Sequence, residues 1–146
     1  MKIALGADHA GYAFKTVLAA KLASLGHDVK DFGTGSTEST DYPDYAIPVA
    51  RAVASGAVDR GILACTNGIG MAMAANRIRG VRAALVYSAR TAAMTRQHHD
   101  SNVLCLGAAE FPHDELLAWT RTWLTTGFEA GRHARRVGKF EALDRT

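Results

Sequence analysis

The sequence has no apolar run approaching about 18 residues, so no segment is suited to crossing a bilayer as a helix. Its opening, Met1-Lys2-Ile3-Ala4-Leu5-Gly6, reaches Asp8 and His9 before the apolar stretch of a secretory leader could form, and none is expected. Cysteine is scarce. Cys65 and Cys105 are too few for a disulfide framework and form no Cys-x-x-Cys pair, so a reducing, cytoplasmic setting is expected. Charge of one sign is also lacking: 17 basic against 14 acidic residues leave a formal +3, too little by itself to mark a nucleic-acid binder. No internal repeat, low-complexity tract or linker divides the chain. What is present is apolar: 48% of the 146 residues are hydrophobic and 21% charged, the composition of one ordinary globular domain.

Strand-like and helix-like segments alternate. Lys2–Gly6 reads as a short buried strand, followed by a helix over roughly Tyr12 to Leu25 that stops at Gly26. Val29–Phe32 is a weaker strand, and a polar loop, Gly33 to Asp41, leads to a helix opening at Tyr42-Pro43 and running to Ser55. Gly61–Cys65, Val81–Val86 and Val103–Gly107 read as further strands, with helices over Ile69–Arg77 and Ser88–Gln97 between them. Two helices close the chain, about Pro112–Thr125 and from Phe128 onward. This alternation predicts a single α/β domain: a Rossmann-like three-layer sandwich around a five-stranded parallel sheet.

In such a sheet ligands bind beyond the C-terminal strand ends. Three segments fall there: Ala7-Asp8-His9, Cys65-Thr66-Asn67-Gly68-Ile69-Gly70, and His98-His99-Asp100-Ser101-Asn102 leading into the last strand. Gly68 and Gly70 permit a tight turn that gathers backbone N–H groups at a helix start, an anion-binding geometry; a plain strand-to-helix turn reads the same. The loop is neither a dinucleotide fingerprint, since Met73 replaces the last small residue and Ser88 stands where an acidic ribose partner belongs, nor a P-loop, since Gly-Lys-Ser/Thr is missing. Cys65 lies at the positive end of that helix, which favours a thiolate usable as base or nucleophile, although strand-end cysteines also serve as packing. Cys105, inside an apolar strand, reads as core.

Asp8 and His9 form an acid/base-capable pair, or else a capping residue beside a surface histidine. His98 and His99 point in different directions on any regular element, so one of them at most faces a site. Asp8, His9, Cys65 and His98 lack the spacing of a metal framework, and no metal is expected. Arg132 and Arg136, at i and i+4, share a helix face fit to grip a phosphate, or cap a solvated basic helix together with His133, Arg135 and Lys139.

Five stretches stand in the order and spacing of one family: Gly6–Gly11, Asp41–Ala46, Cys65–Asn76, Arg96–Val103 and Gly131–His133. From Lys2 to about Val137 the chain resembles type B ribose-5-phosphate isomerase, the group that includes the galactose-6-phosphate isomerase subunits. The resemblance implies an aldose–ketose isomerase of sugar phosphates without metal or redox cofactor, working as a homodimer or tetramer with active sites at the subunit interface. It also implies roles. Cys65 would move a proton between C1 and C2 through an enediolate, His98 would assist ring opening, and Asp8 would hold ring oxygens. His9, Arg132 and Arg136 would take the phosphate, with Tyr42 and His99 lining the pocket. The amides from Asn67 through Gly68 and Ile69 to Gly70 would stabilise the enediolate oxygen, and Thr66 would contact the substrate.

Three positions depart from the family's usual run. Thr66-Asn67-Gly68 follows Cys65 in place of Gly-Thr-Gly or Gly-Ser-Gly, His99 replaces an asparagine, and Ala109-Glu110 stands where many members carry a phosphate-binding arginine. The expected reaction is ribose-5-phosphate to ribulose-5-phosphate. The alternatives are the same chemistry on a four- or six-carbon sugar phosphate, or a non-catalytic sugar-phosphate-binding homologue. A nucleic-acid module would rest only on the basic Arg132–Lys139 cluster and lacks aromatic interleaving.

Overall fold

β-Branched and leucine-rich runs of five or six residues, each bounded by glycine or a polar turn, form the centre of the molecule. In the computed structural model, which describes residues 1–145, they are β1 (Lys2–Ala7), β3 (Arg60–Cys65) and β5 (Val103–Gly107). Shorter strands flank them, β2 (Asp28–Asp31) and β4 (Ala83–Leu85). The helices are α1 (Tyr12–Ser24), α2 (Pro43–Ala54), α3 (Ile69–Ala75), α4 (Ala89–His99), α5 (His113–Thr125) and α6 (Arg132–Glu141), followed by a 3-10 turn over Ala142–Arg145. All strand pairs are parallel, in the order β2-β1-β3-β5-β4.

The three central strands are apolar at nearly every position because both of their faces are covered. On one face Ile3, Leu5, Ile62, Leu104 and Leu106 meet Phe14 and Leu18 of α1 and Leu116 and Trp123 of α5. On the other, Ala4, Leu63, Cys65, Val103 and Cys105 meet Val49 and Val53 of α2 and Met71 and Ala75 of α3. The α/β sandwich with a five-stranded parallel sheet is as the sequence implied.

β4, α3 and α6 are shorter than expected. β4 is three residues long, not six, because it is an edge strand paired only to β5, and the N–H of Arg82 goes to the Asn102 side chain (2.7 Å) instead of a ladder partner. α3 stops at Ala75. α6 begins at Arg132 rather than Phe128 because Thr126 is extended and Ala130 and Gly131 both take φ of +58°, which a right-handed helix cannot contain.

The chain leaves two neighbouring strands in opposite directions: from β1 through α1 to β2 on one side, and from β3 through α3 to β4 on the other. Just above β1 and β3 the connections diverge, which opens a crevice at their C-terminal ends. α1 lies close over this point, since a Cβ added at Gly11 would sit 2.5 Å from the Ala64 carbonyl oxygen. The helix is held by Phe14, which is fully buried. We expect Phe14→Ala to cost about 3–5 kcal/mol, read as a lowered urea midpoint with an unchanged slope.

Candidate active site

Cys65 closes β3, 5% exposed, at the start of the glycine turn. The turn lies backbone against backbone on the end of β5. Ala108 N–H donates to the Cys65 carbonyl (2.9 Å) and Ala109 N–H to that of Thr66 (3.1 Å). A Cβ at Gly107 would come 3.0 Å from the Asn67 backbone, and one at Gly68 2.9 Å from the Leu106 carbonyl carbon. Gly68 also takes φ +79°, a left-handed conformation that glycine adopts without strain. This seating aims the Gly68 N–H at Cys65 Sγ, 3.2 Å away. A donor pointed at sulfur stabilises negative charge there, as a cysteine base requires.

The Asn67 side chain turns back on its own loop. Its Oδ1 accepts from Ile69 N–H at 3.0 Å, which fixes the amide so that Nδ2 remains the outward donor. Of the loop's amides, those of Gly68 and Ile69 are therefore engaged within the protein, while Gly70 opens the first turn of α3. Gly70 is covered by Tyr42, whose ring would lie 2.7 Å from a Cβ placed there. Thr66 and Ile69 are exposed at the rim.

Asp8 and His9 stand beside this loop, because Ala7 is level with Ala64 and Asp8 N–H donates to the Ala64 carbonyl (3.3 Å). Asp8 is buried. Its Oδ1 accepts from the amides of Ala10 (3.0 Å) and Gly11 (3.3 Å), so it does cap the turn into α1, and Oδ2 has no partner among the described residues. His9 Nδ1 accepts from Thr40 N–H at 3.2 Å, which puts the proton of the neutral ring on Nε2, a donor available to an anion.

The remaining expected residues form a second group at the end of α4 and the start of α6. A cleft of about 190 Å³ is lined by His98, His99, His133, Arg136, Val137 and Phe140. The rings of His98 and His133 are stacked, with centroids 4.1 Å apart and planes 8° from parallel. Burial, then the neighbouring charges of His98 and Arg132, hold His133 below the ordinary imidazole range, with Glu129 acting the other way. His99 is lowered similarly, first by the protein packed against it and then by His98. Arg132 and Arg136 are exposed on α6.

The sequence singles out neither Arg96 nor Glu129 for a role of its own, and marks His133 only as a member of the basic C-terminal cluster. Arg96 is buried and pins the corner, donating from Nη1 to Asp100 (2.9 Å) and the Ser101 carbonyl (2.6 Å), and from Nε to the Thr126 carbonyl (3.3 Å). His98, Glu129 and His133 have donor atoms within 4.8 Å of one another. Arg132, Arg136 and the positive N-terminus of α6 surround this trio, so its electrostatics oppose a divalent cation and suit an anion.

The structure thus brings Asp8, His9, Tyr42, Cys65 and the Thr66–Gly70 loop to one place, and His98, His99 and Arg136 to another. Among the described residues no hydrogen bond or ring contact joins the two groups. Cys105 is core, fully buried, and burial pushes its thiol well up.

The Tyr42–Gly70 contact gives a direct check. Gly70→Ala should destabilise the protein by about 1–3 kcal/mol through overpacking, and should cost much less in a Tyr42→Ala background. Urea unfolding of the four proteins measures this coupling.

Comparison with known families matches residues 3–140 to Ribose/Galactose Isomerase. Ribose-5-phosphate isomerase B of Escherichia coli is 43% identical over 143 residues, 98% of this chain and 96% of that one. Among solved structures, ribose-5-phosphate isomerase B of Clostridium thermocellum superposes with a TM-score of 0.98 at 46% identity, covering 99% of this chain and 98% of the other. The Mycoplasma genitalium protein, solved with bound ribulose-5-phosphate, superposes with a TM-score of 0.96 at 38% identity, covering 99% and 96%. With the match spanning sheet, glycine loop and C-terminal helix alike, the chain belongs to the ribose/galactose isomerase family of enzymes.

Proposed function

We propose that this protein interconverts ribose-5-phosphate and ribulose-5-phosphate, with Cys65 as the base. The observation that carries the reading is the buried Cys65 sulfur at a strand end with the Gly68 N–H aimed at it from 3.2 Å. The relatives' names, and the ribulose-5-phosphate bound to one of them, supply the substrate.

The sugar enters as a ring. His98 assists opening: the C1 hydroxyl loses its proton, the ring oxygen gains one, and the C1–O bond to the ring breaks to leave an aldehyde. Cys65 thiolate then takes the C2 proton, and the electron pair moves to the carbonyl oxygen, giving an enediolate. Asn67 Nδ2 and the Gly70 amide face that charge. Returning the proton to C1 while the O2 proton passes to O1 yields the ketose, with C2 as the carbonyl and C1 as the alcohol. Asp8 Oδ2 holds a sugar hydroxyl, Tyr42 lines the pocket, and His9 Nε2, Arg132 and Arg136 take the phosphate. Neither metal nor redox cofactor enters these steps.

Cys65 and His98 lie in separate groups, so we propose that the site is completed between two subunits, with the His98, His99, Arg132 and Arg136 group of one serving the Cys65 loop of the other. Exposed apolar side chains support an interface: Ile69 and Met73 one turn apart on α3, and Phe140 and Leu143 near the C-terminus.

A second reading keeps the chemistry and changes the sugar to four or six carbons. It rests on Ala109 and Glu110, both exposed after β5, and on His99. The ratio of kcat/KM across sugar phosphates of different length decides between them.

Incubation in deuterium oxide tests the mechanism. The native protein should introduce deuterium at C2 of ribose-5-phosphate as ketose forms, and Cys65→Ala should lose both; full turnover by that variant would remove the cysteine base. Mixing inactive Cys65→Ala and His98→Asn proteins tests the shared site. Random re-pairing should restore about a quarter of native activity, because half the dimers carry one intact site of two, whereas a site within one chain restores none.

A further inference from the structure

We infer that His133 and Glu129 are positioning residues for His98, fixing the plane of its ring through a closed frame of contacts. The inference rests on the ring-opening role proposed for His98, and its test separates the two.

The His98 ring makes no hydrogen bond among the described residues. Both nitrogens are therefore left for a substrate, but neither fixes the side chain, and the ring torsion of histidine is intrinsically broad. Its plane is set by neighbouring rings: His133 stacked at 4.1 Å and His99 edge-on at 6.0 Å. His99 is the adjacent residue on the same helix and turns with it. His133 comes from another helix and acts as an independent stop.

His133 is itself held. It is 7% exposed, and its Nε2 lies 3.5 Å from the Glu129 carboxylate. Glu129 in turn is tied to α4, since its N–H donates to the carbonyl of Gln97 at 3.1 Å, the residue next to His98. On the far side of Gln97, Arg96 reaches the same connecting segment through the Thr126 carbonyl. The frame closes on itself: Gln97 to Glu129 through the backbone, Glu129 to His133 through the carboxylate, His133 to His98 through the stack.

The choice of imidazole for the stack follows from charge. Burial, then the charges of His98 and Arg132, push the His133 pKa below the ordinary imidazole range. A neutral ring lying flat on His98 offers a π-face when His98 carries the proton, and a second imidazolium there would repel it.

The experiment compares two reactions of the full-length protein. Turnover of ribose-5-phosphate needs the ring opened. Solvent exchange of a C1 hydrogen of ribulose-5-phosphate, an open-chain ketose, needs only the base. His133→Ala should lower ribose-5-phosphate kcat on the order of ten- to a hundredfold while C1 exchange stays within about twofold of native. His133→Phe, which restores a flat ring, should recover most of the loss, and Glu129→Gln should show the same selective pattern at a few-fold. Equal loss in both reactions, as from a distorted fold, overturns the proposal, and so does no loss in either. If His98→Asn abolishes ring-dependent turnover and His133→Ala does not touch it, the positioning role alone fails. If His98→Asn leaves that turnover intact, the reading of His98 fails and takes this one with it.

Discussion

The contact on which the site depends is backbone lying on backbone. The turn after β3 rests directly on the end of β5, at separations that leave no room for a side chain at Gly68 or Gly107. With the turn seated there, the rest follows. Gly68 must take its left-handed conformation, its N–H must point at Cys65, and α3 must start beneath Tyr42 with its N-terminus beside the thiol. The setting of the Cys65 sulfur is a consequence of strand packing carried one turn past the sheet.

A second constraint acts at the other group. The end of α4 carries His98 and His99, and it is held by Arg96, a buried guanidinium with bonds to Asp100, Ser101 and Thr126. Asp100 is shared with Arg82, which also pairs with Glu141 at the end of α6. Charges that face water cheaply on a surface helix are here drawn inward to join three chain segments. That is why the basic C-terminal region becomes a defined wall, with Arg132, Arg135 and Arg136 outward and His133 inward.

Most of the fold could be read from the residues alone, because β1, β3 and β5 are buried on both faces and so are apolar throughout. Their ends are marked by the residues that no longer need to be, Asp8 and Cys65 among them. β4 is shorter than its apolar run because burial at Val81 and Val86 is not the same as strand pairing: Val81 N–H turns back to the Ile78 carbonyl, and Val86, whose N–H still reaches Cys105 of β5, stands just past the end of β4. The start of α6 was misplaced because the positive φ of Ala130 has no signature in a residue that ordinarily favours helix. The site divides the same way. Asp8, Cys65 and Gly68 announce themselves by position at strand ends. The stack of His98 on His133 joins residues far apart in sequence and exists only once α6 packs on α4. The basic run that holds His133 offers no sign of which member turns inward.

The separation of the two groups bears on how sugar length is read. In the proposed assembly the reacting carbons lie at the Cys65 loop of one subunit and the phosphate at Arg132 and Arg136 of the other. The span between them is then set by how two subunits pack, and not by the side chains lining either group. Ala109 and Glu110 fit this division. They stand after β5, beside the thiol's loop, where an arginine would add a charge-assisted bond worth about 1.5–3 kcal/mol to the phosphate. Without it, the phosphate depends on His9 and on the partner's helix, and the Glu110 carboxylate disfavours an anion settling short of that helix. In that assembly the α6 arginines of one subunit and the Glu110 carboxylate of the other would set the direction in which the sugar lies, with its carbonyl end toward Cys65.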